Sequence, residues 1–491
     1  MAQALVTGSG IAGIASAIRL AVKGWDVKVF EANAYAGGKL SELRTGNYRF
    51  DAGPSLFTMP QYVDELFRLA GKDPRDYFSY RKLDPLCHYF YEDGTRLSSW
   101  ADNKQFAKEI AAKTLDSEQS VLKFLERSAG IYAVTNHVFL EKSLHRLKTY
   151  LNYDTFKSFL QLGKIDSMRS MNTANESFFK DGRTIQLFNR YATYNGSNPY
   201  KAPATLNVIP HLEQNMGAYF PEGGMYVITK SLVRLATEIG VQFYYNSPVE
   251  EIVVKDKKAV GLNVKGVFHE AELVISNTDV WFAYKSLLPR EKPPLRILNQ
   301  ERSSSALIFY WGIKKEFSEL GLHNIFFSKD YRKEFDGIWK DKSIPADPTV
   351  YINISSKMNI SDAPAGHENW FVMINVPSNC GQDWDLLIEQ ARENILNKLN
   401  RILSLELRDF ISCEDILDPR SIEYKTASYQ GALYGTSSNN RYAAFLRHSN
   451  ASSSVKGLYF TGGSVHPGGG IPLSLLSAKI VSDLLDDELK A

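Results

Sequence analysis

The chain has 491 residues, of which 44% are hydrophobic, 23% are charged and 12% are aromatic. Lys and Arg number 57 against 55 Asp and Glu, and this balance excludes the strongly basic character of a nucleic-acid-binding protein. The composition is that of an ordered globular protein, and the length predicts two or three lobes that share a crevice.

Cysteine usage and hydropathy indicate the compartment. The three cysteines, Cys87, Cys380 and Cys413, are far apart and lack metal-binding spacing, so we expect no metal site and a reducing environment. The N-terminus has no signal-peptide pattern, and no apolar run is long enough to cross a bilayer. We therefore expect a cytoplasmic protein whose only membrane contact is peripheral, at the inner face of the cell membrane.

The first predicted elements form a dinucleotide-binding unit. The apolar run 4–6 leads into Gly8-Ser9-Gly10-Ile11-Ala12-Gly13, after which apolar residues recur at helical spacing. A second apolar run, 27–30, ends at Glu31, eighteen residues after Gly13. This pattern predicts a strand, a glycine turn, a helix and a second strand.

Each residue of this unit has a predicted role. Gly8 permits the tight turn, Gly10 lets the backbone approach a pyrophosphate, and Gly13 lets helix and strand pack closely. Ile11 and Ala12 open the helix whose N-terminus faces the phosphates. Glu31 is expected to bind a ribose hydroxyl, and its charge would repel a 2′-phosphate.

Two further segments favour FAD over NAD. Ala36-Gly37-Gly38-Lys39 follows the acidic residue directly, and Phe50-Asp51-Ala52-Gly53-Pro54-Ser55 follows about a dozen residues later. A glycine pair followed by a cation supplies backbone donors and positive charge to a second stretch of an extended dinucleotide.

The next stretch is predicted to be helical and amphipathic. Phe139, Leu140, Leu144, Leu147 and Leu151 recur at helical spacing, and residues 139–170 contain six Lys or Arg against three acidic residues. Tyr150, Tyr153, Phe156 and Phe159 are interleaved among them. This mixture suits an interface with anionic lipid, although a helix packed on its own domain has a similar pattern.

Strands then dominate the chain. Runs at 241–245, 251–254 and 273–277 are predicted strands, and the last is expected to rejoin the nucleotide-binding domain. From residue 303 to about 425, alternating runs such as 306–311 and 370–374 predict the sheet of a substrate domain. Aromatic residues of that sheet either line an apolar tunnel or pack in the core.

The last predicted elements are a strand, a glycine-rich turn and a helix. Gly457-Leu458-Tyr459-Phe460-Thr461-Gly462-Gly463 is followed by Ser464-Val465-His466-Pro467-Gly468-Gly469-Gly470-Ile471-Pro472, and helical spacing begins at Pro472. Core packing does not require five glycines in nine residues. The helix N-terminus would suit the ring of a flavin that becomes anionic on reduction.

This C-terminal segment closely resembles the signature of the carotenoid (phytoene) desaturase family of FAD oxidoreductases, in the flavin amine-oxidase-like superfamily. Pro221-Glu222-Gly223-Gly224-Met225 resembles a mid-chain element of the same family. The resemblance implies that FAD is held by Gly462, Gly463, Gly470, Ile471 and Pro472, with Val249 meeting the adenine.

The resemblance also implies a fold of mixed α/β and α+β type. It comprises a discontinuous Rossmann-type FAD-binding domain, a mixed-sheet substrate domain and a helical membrane-facing subdomain. The expected parts are 1–85 (FAD-binding), 86–220 (substrate and helical, membrane-associated), 221–285 (FAD-binding), 286–430 (substrate-domain sheet) and 431–491 (FAD-binding).

The implied activity is desaturation of a carotenoid. Ser464–Leu476 is nearest in form to the bacterial 1-hydroxycarotenoid 3,4-desaturases, which implies C-3,4 desaturation of a hydroxylated carotenoid such as 1′-hydroxy-γ-carotene. A phytoene or diapophytoene desaturase is the alternative, and an amine oxidase or a non-catalytic FAD-fold carrier is an alternative of another class.

Few catalytic residues are expected. His466 and Glu222 are the candidates for positioning or proton removal, and either could be structural. A quinone or oxygen is the expected electron acceptor.

Overall fold

The computed structural model describes residues 2–136, 140–146, 149, 165–440 and 442–489. Its strands are β1 Gln3–Thr7, β2 Asp26–Phe30, β3 Glu42–Thr45, β4 Tyr48–Asp51, β5 Phe57–Thr58, β6 Tyr80–Lys82, β7 Cys87–Phe90, β8 Arg96–Ser99, β9 Ala218–Pro221, β10 Gln242–Tyr244, β11 Val249–Lys255, β12 Lys258–Val264, β13 Val267–Glu270, β14 Leu273–Ser276, β15 Ser305–Ile313, β16 His323–Phe326, β17 Val350–Asn353, β18 Glu368–Val376, β19 Ile411–Leu417 and β20 Leu458–Phe460. Its α-helices are α1 Ile11–Val22, α2 Gln61–Leu69, α3 Asn103–Lys113, α4 Glu118–Thr135, α5 Met171–Glu176, α6 Gly182–Asn189, α7 Tyr226–Glu238, α8 Val280–Phe282, α9 Leu295–Leu298, α10 Tyr331–Asp336, α11 Trp384–Leu403, α12 Pro419–Thr426, α13 Ala443–Leu446 and α14 Ile471–Leu489.

A five-stranded parallel sheet forms the first layer, in the order β10-β2-β1-β14-β20. Residues of α1, α2, α7 and α14 share one hydrophobic core with this sheet. The chain passes from β1 to β2 on one side and returns to β14 on the other, so the strand order reverses at β1. Ligands of open parallel sheets bind at such a switch point, beyond the carboxyl ends of the strands. The predicted discontinuous Rossmann-type domain is confirmed.

A seven-stranded mixed sheet forms the second layer, in the order β19-β15-β18-β17-β16-β7-β8. Side chains alternate between its two faces because a strand has a period of two residues. On β15, Leu307, Phe309 and Trp311 pack in a core that also contains residues of α11. The intervening Ala306, Ile308 and Tyr310 face a large cavity. The alternating runs therefore form the predicted mixed sheet.

Strand pairing crosses the expected domain boundaries. β7 and β8, from the part expected at 86–220, complete the large sheet, whose other strands come from 286–430. β9 lies at the expected boundary between residues 220 and 221 and pairs with β5 and β6, from residues 1–85. The remaining sheets are the pair β3-β4 and the antiparallel β11-β12-β13.

Most of the predicted amphipathic stretch lies outside the described residues, including Phe139, Leu147, Lys148, Tyr150, Leu151, Tyr153, Phe156 and Phe159. The expectation that it forms a membrane-facing subdomain stays a prediction. Among the helices of the described ranges, none combines the length and apolarity that crossing a membrane requires.

Candidate active site

A cavity of about 1320 Å³ is lined by residues of both large sheets and of the helical segments between them. It is larger than the roughly 300–1,000 Å³ of a pocket for one small ligand. This size is expected when a cofactor and a substrate share one cavity.

The carboxyl ends of the parallel strands form one end of this cavity. Gly8, Glu31, Asn277 and Thr461 follow β1, β2, β14 and β20, and all four line the cavity. The Asn277 amide donates to the Thr461 carbonyl at 3.1 Å. The first and last motifs of the chain therefore meet at one place.

The N-terminal turn leaves room only for glycine. Gly8 has a φ of +89°, a value that favours glycine, and a Cβ on Gly13 would lie 2.2 Å from the Gly8 carbonyl oxygen. A Cβ on Gly10 would lie 2.6 Å from Asn277 Oδ1. No side chain of the described residues caps α1 at Gly10, so its first N–H groups can bind a phosphate. These residues fit a dinucleotide.

The Glu31 carboxylate is fixed at the cavity wall by its neighbours. Oε2 accepts hydrogen bonds from the Ser9 backbone N–H and Oγ, at 2.7 and 2.8 Å. Oε1 accepts from the Asn33 backbone N–H and Nδ2, both at 2.9 Å. This network orients the acidic group at the carboxyl end of β2, where the βαβ pattern predicts ribose binding.

The two further segments that were predicted to bind FAD, 36–39 and 50–55, line the same cavity as the first glycine turn. Gly37, Gly38, Lys39, Gly53, Pro54 and Ser55 all line the cavity, as does Val249 at the start of β11. A Cβ on Gly53 would lie 1.8 Å from the Lys39 carbonyl oxygen, so this close crossing of two segments also requires glycine.

Lys39 is the cation expected near the dinucleotide. Its ammonium group donates to the carbonyl oxygens of Leu433 and Ala432, at 2.9 and 3.2 Å. Burial lowers the pKa of Lys39 to about 8, although the nearby Asp279 acts to raise it. Much of the positive charge is therefore lost above pH 8 in the protein without FAD.

The pKa of Lys39 predicts a pH dependence of FAD binding. Above pH 8 the neutral amine must take up a proton to pair with an anionic diphosphate, so the affinity should fall between pH 8 and 10. The expected slope approaches about tenfold per pH unit. Fluorescence titration with FAD measures the affinity at each pH. Lys39→Met should bind FAD more weakly than wild type at pH 7, and its affinity should not fall between pH 8 and 10. The same slope in both proteins would contradict the assignment.

The C-terminal motif completes the same end of the cavity. Gly462, Gly463, Gly470, Ile471 and Pro472 line it, and α14 begins at Ile471, so Pro472 is its second residue. Gly462 has a φ of +109°, and its N–H donates to Ser477 Oγ at 2.9 Å. The turn and the helix N-terminus are therefore fixed beside Asn277 and the first glycine turn.

The two catalytic candidates lie in different environments. His466 is buried at the cavity wall, and its Nε2 donates to the Lys142 carbonyl oxygen at 2.9 Å. This contact places a proton on Nε2, and a role of His466 in the reaction stays a prediction. Glu222 is exposed, does not line the cavity and accepts a 2.5 Å hydrogen bond from Ser79 Oγ. A role of Glu222 in the reaction therefore stays a prediction, to which its position outside the cavity adds no support.

The rest of the cavity wall is largely apolar. Phe371 and Met373 of β18 continue the apolar face begun on β15, and residues of the helical segments close the other side, among them Thr135, Leu140, Ile165, Leu206, Ile209 and Leu212. Met168 also lines the cavity and is 76% exposed, so the cavity reaches the surface there. This apolar lining fits an apolar molecule.

A buried charged cluster lines part of the cavity wall. Arg190 donates to Glu213 at 2.7 Å, and Tyr191 and Tyr194 donate to the same carboxylate at 2.9 and 2.5 Å. Although burial raises the pKa of Glu213, Arg190 and the tyrosines hold it below its usual value. Both partners therefore remain charged, and the pair is fully hydrogen-bonded at the carboxylate.

Sequence reasoning missed three groups at this site: Asn277, the Arg190–Glu213 pair, and His323 with its partner Tyr351. Asn277 could have been found from its position at the carboxyl end of the predicted strand 273–277, which was expected to rejoin the nucleotide-binding domain. The others have no local signature, because their partners come from separate elements.

Comparison with known proteins agrees with this architecture. The sequence model of the flavin containing amine oxidoreductases matches residues 11–485. The chain is 49% identical to a 1-hydroxycarotenoid 3,4-desaturase of Flavobacterium sp. (strain P99-3), over 99% of both chains. It is 32% identical to a 4,4′-diapolycopene oxygenase of Methylomonas sp, again over 99% of both.

A solved structure has the same fold. The cyclohexylamine oxidase of Brevibacterium oxydans IH-35A superposes with a TM-score of 0.62 at 12% identity, covering 100% of both chains. With a family match across nearly the whole chain and a full-length relative at 49% identity, FAD is the cofactor and the enzyme is an oxidoreductase. The chain therefore belongs to the flavin-containing amine oxidoreductase family and, within it, to the carotenoid desaturase family of FAD-dependent oxidoreductases.

Proposed function

We propose that this enzyme introduces the C-3,4 double bond into a hydroxylated carotenoid such as 1′-hydroxy-γ-carotene. The observation that carries the proposal is the joining of two environments in one cavity. The nucleotide-binding turns from both ends of the chain meet at one end, and the faces of β15 and β18 supply a long apolar wall beside them. The 3,4-desaturase of Flavobacterium, which matches over the full length, supports the specific bond.

The reaction removes a hydride and a proton from neighbouring carbon atoms. When bound, FAD supplies the hydride acceptor. The positive charge left on the substrate spreads over the polyene, so no strong base is required. Ile308, Tyr310 and Met373 have the simpler task of orienting the chain and excluding water along it.

The alternative substrate is a carotenoid without a hydroxyl group, as in a phytoene or diapophytoene desaturase. The chain is also similar to a 4,4′-diapolycopene oxygenase, whose name specifies no hydroxyl group on its substrate. This similarity supports the alternative. An amine oxidase or a non-catalytic carrier is disfavoured, because the chain is 49% identical to a desaturase over 99% of its length. Its identity to the cyclohexylamine oxidase is only 12%.

The proposal includes a peripheral association with the inner face of the cell membrane. Its support is the exposed mouth of the cavity at Met168, which adjoins in sequence the basic and aromatic segment predicted to contact anionic lipid. A carotenoid partitions into the bilayer, so an opening at this surface would admit it directly. A quinone or oxygen would reoxidise the flavin.

The test is expression of the chain in cells that make γ-carotene, lycopene or their hydroxylated forms. We expect hydroxylated pigment alone to lose two hydrogens by mass and to shift its absorbance to the red. The protein should sediment with membranes and be released by high salt. Gly13→Ala serves as the control without bound FAD.

Two outcomes would overturn the proposal. Desaturation of the hydrocarbon pigments alone would establish the alternative substrate class. The absence of change in every pigment, in cells that contain the folded yellow protein, would remove the desaturase activity altogether.

A further inference from the structure

Arg447 is a buried cation beside the C-terminal glycine turn. It follows α13 directly, lines the cavity and is 2% exposed. Its Nη1 donates to the carbonyl oxygens of Tyr434 and Gly463, at 3.1 and 3.3 Å. Its Nη2 donates to the Thr436 carbonyl oxygen at 3.1 Å and to Asn195 Oδ1 at 3.4 Å. All four acceptors are uncharged.

This guanidinium has no carboxylate partner among the residues that the structure describes. Other buried arginines do have one: Arg190 pairs with Glu213 at 2.7 Å, and Arg19 pairs with Glu65 at 2.8 Å. Burial lowers the pKa of Arg447 to about 10, so the group is still charged at pH 7. A buried cation without a counter-ion is costly, and an anion bound beside it would remove that cost.

FAD brings two kinds of negative charge into the cavity. Its diphosphate is expected at the first glycine turn, with Lys39 as the nearby cation. The second charge arises during the reaction, because a hydride carries one proton and two electrons to the flavin ring. The reduced ring therefore has one negative charge more than the oxidised ring. A cation that stabilises this charge must lie near the segments that are expected to hold the ring.

The Arg447 guanidinium lies against those segments. It binds the Gly463 carbonyl oxygen, and a Cβ on Gly468 would lie 3.2 Å from Arg447 Cζ. The guanidinium thus covers the turn that leads from Gly463 to Gly470, where α14 begins. Gly463 and Gly470 line the same cavity as Arg447 and are expected to hold the flavin.

We propose that Arg447 stabilises the negative charge of the reduced flavin and so makes the bound FAD a stronger hydride acceptor. This inference goes beyond the proposed function, and it rests on the flavin position predicted at Gly462, Gly463 and Gly470 and not on which carotenoid reacts. The guanidinium need not touch the ring, because a charge acts over several ångströms where water is excluded.

Coulomb's law gives the size of the effect. A unit charge about 6–10 Å from the ring, at an effective dielectric constant of about 20, favours the reduced state by a factor of about 10 to 100. For a two-electron couple, this factor raises the midpoint potential by about 30 to 60 mV. By linkage, Arg447 should tighten the binding of reduced FAD more than that of oxidised FAD by the same factor.

The test measures the midpoint potential of bound FAD in wild type, Arg447→Met and Arg447→Lys, by anaerobic reduction with a reference dye at pH 7 and without carotenoid. Met removes the charge, whereas Lys keeps one. We expect the potential to fall by about 30 to 60 mV in Arg447→Met and to recover in part in Arg447→Lys. Arg68→Met is the matched control, because Arg68 is a 62% exposed guanidinium on α2, and it should keep the wild-type potential.

A purely structural role of Arg447 would give a different result. If the guanidinium only held the turn in place, its loss would weaken the binding of oxidised and reduced FAD alike, and the potential would not move. Titration of the apoprotein with oxidised FAD separates the two roles. We expect Arg447→Met to lose less affinity for oxidised FAD than for reduced FAD, a difference that the potential reports.

The outcomes separate this inference from the proposed function. If Arg447→Met folds, binds FAD and keeps the wild-type potential, the inference fails and the desaturase assignment stands. If the potential of FAD in wild type does not exceed that of free FAD, the inference fails even where neither variant folds. If wild type converts no carotenoid, the proposed function fails, and the potentials still decide the role of Arg447.

Discussion

Replacing Glu213 by Gln is expected to destabilise the protein more than any surface substitution. Glu213 and Arg190 are buried, and they hold each other at 2.7 Å with three tyrosines around them. The neutral amide would leave the Arg190 charge without its counter-ion inside the protein. Breaking a buried ion pair in this way costs about 3–5 kcal/mol of the free energy of unfolding. Urea unfolding followed by tryptophan fluorescence measures the change.

A double variant serves as the control for this prediction. Arg190→Met combined with Glu213→Leu removes both charges, and apolar replacements of a buried pair are often neutral or stabilising. We expect the double variant to recover most of the stability lost in Glu213→Gln. Two results would contradict this account of the buried ion pair. One is a free energy of unfolding of Glu213→Gln within about 1 kcal/mol of wild type. The other is a double variant that is less stable than Glu213→Gln.

The second large effect is expected from Gly13→Ala. A Cβ at this position would lie 2.2 Å from the Gly8 carbonyl oxygen and 3.0 Å from Asn277 Oδ1. The clash forces α1 away from the turn that follows β1, and FAD binding depends on this turn. We expect a colourless protein without bound FAD and a large fall in the thermal midpoint.

Gly130→Ala is the matched control, because it is the same exchange in another helix. Gly130 lies in α4, is exposed and has nothing within 4 Å of the added Cβ. Alanine there should stabilise the helix by about 0.5–1 kcal/mol and leave FAD content unchanged. Equal FAD content in the Gly13 and Gly130 variants would contradict the close packing at the first turn.

Sequence reasoning found the nucleotide end of the site because its signals are local. Gly8, Gly13 and Glu31 belong to one contiguous βαβ unit, and each glycine occupies a position where the structure leaves no room for a side chain or requires a positive φ. The alternation on β15 is equally local, since a period of two residues fixes which side chains face the cavity.

Two pairs of residues on the cavity wall could not be predicted from the sequence. Arg190 and Glu213 stand on separate helical segments, and His323 meets Tyr351 from the next strand of the sheet. Arg190 meets Glu213 only when their two helical segments pack together, and His323 meets Tyr351 only when β16 pairs with β17. No spacing rule along the chain connects such residues.

Glu222 shows that a motif can locate a turn without deciding what its side chain does. The Pro-Glu-Gly-Gly segment does occupy a special place, but its neighbours explain it. A Cβ on Gly224 would lie 2.2 Å from Arg49 Nη1, and the Met225 N–H donates to Asp51 at 2.9 Å. Gly224 lets the chain pass the ion pair between Arg49 Nη2 and Asp51 Oδ1, which lie 2.6 Å apart, and the Glu222 side chain is exposed. A sequence motif locates a turn but not the direction of its side chains.

One measurement tests the central claim, that FAD and a hydroxylated carotenoid meet in one cavity built by both ends of the chain. Purified holoenzyme is mixed without oxygen with one equivalent of 1′-hydroxy-γ-carotene, and flavin and pigment absorbance are followed together. We expect the flavin absorbance to bleach as the pigment shifts to the red, with one new double bond per flavin. Pigment that remains unchanged beside fully oxidised flavin would contradict the account.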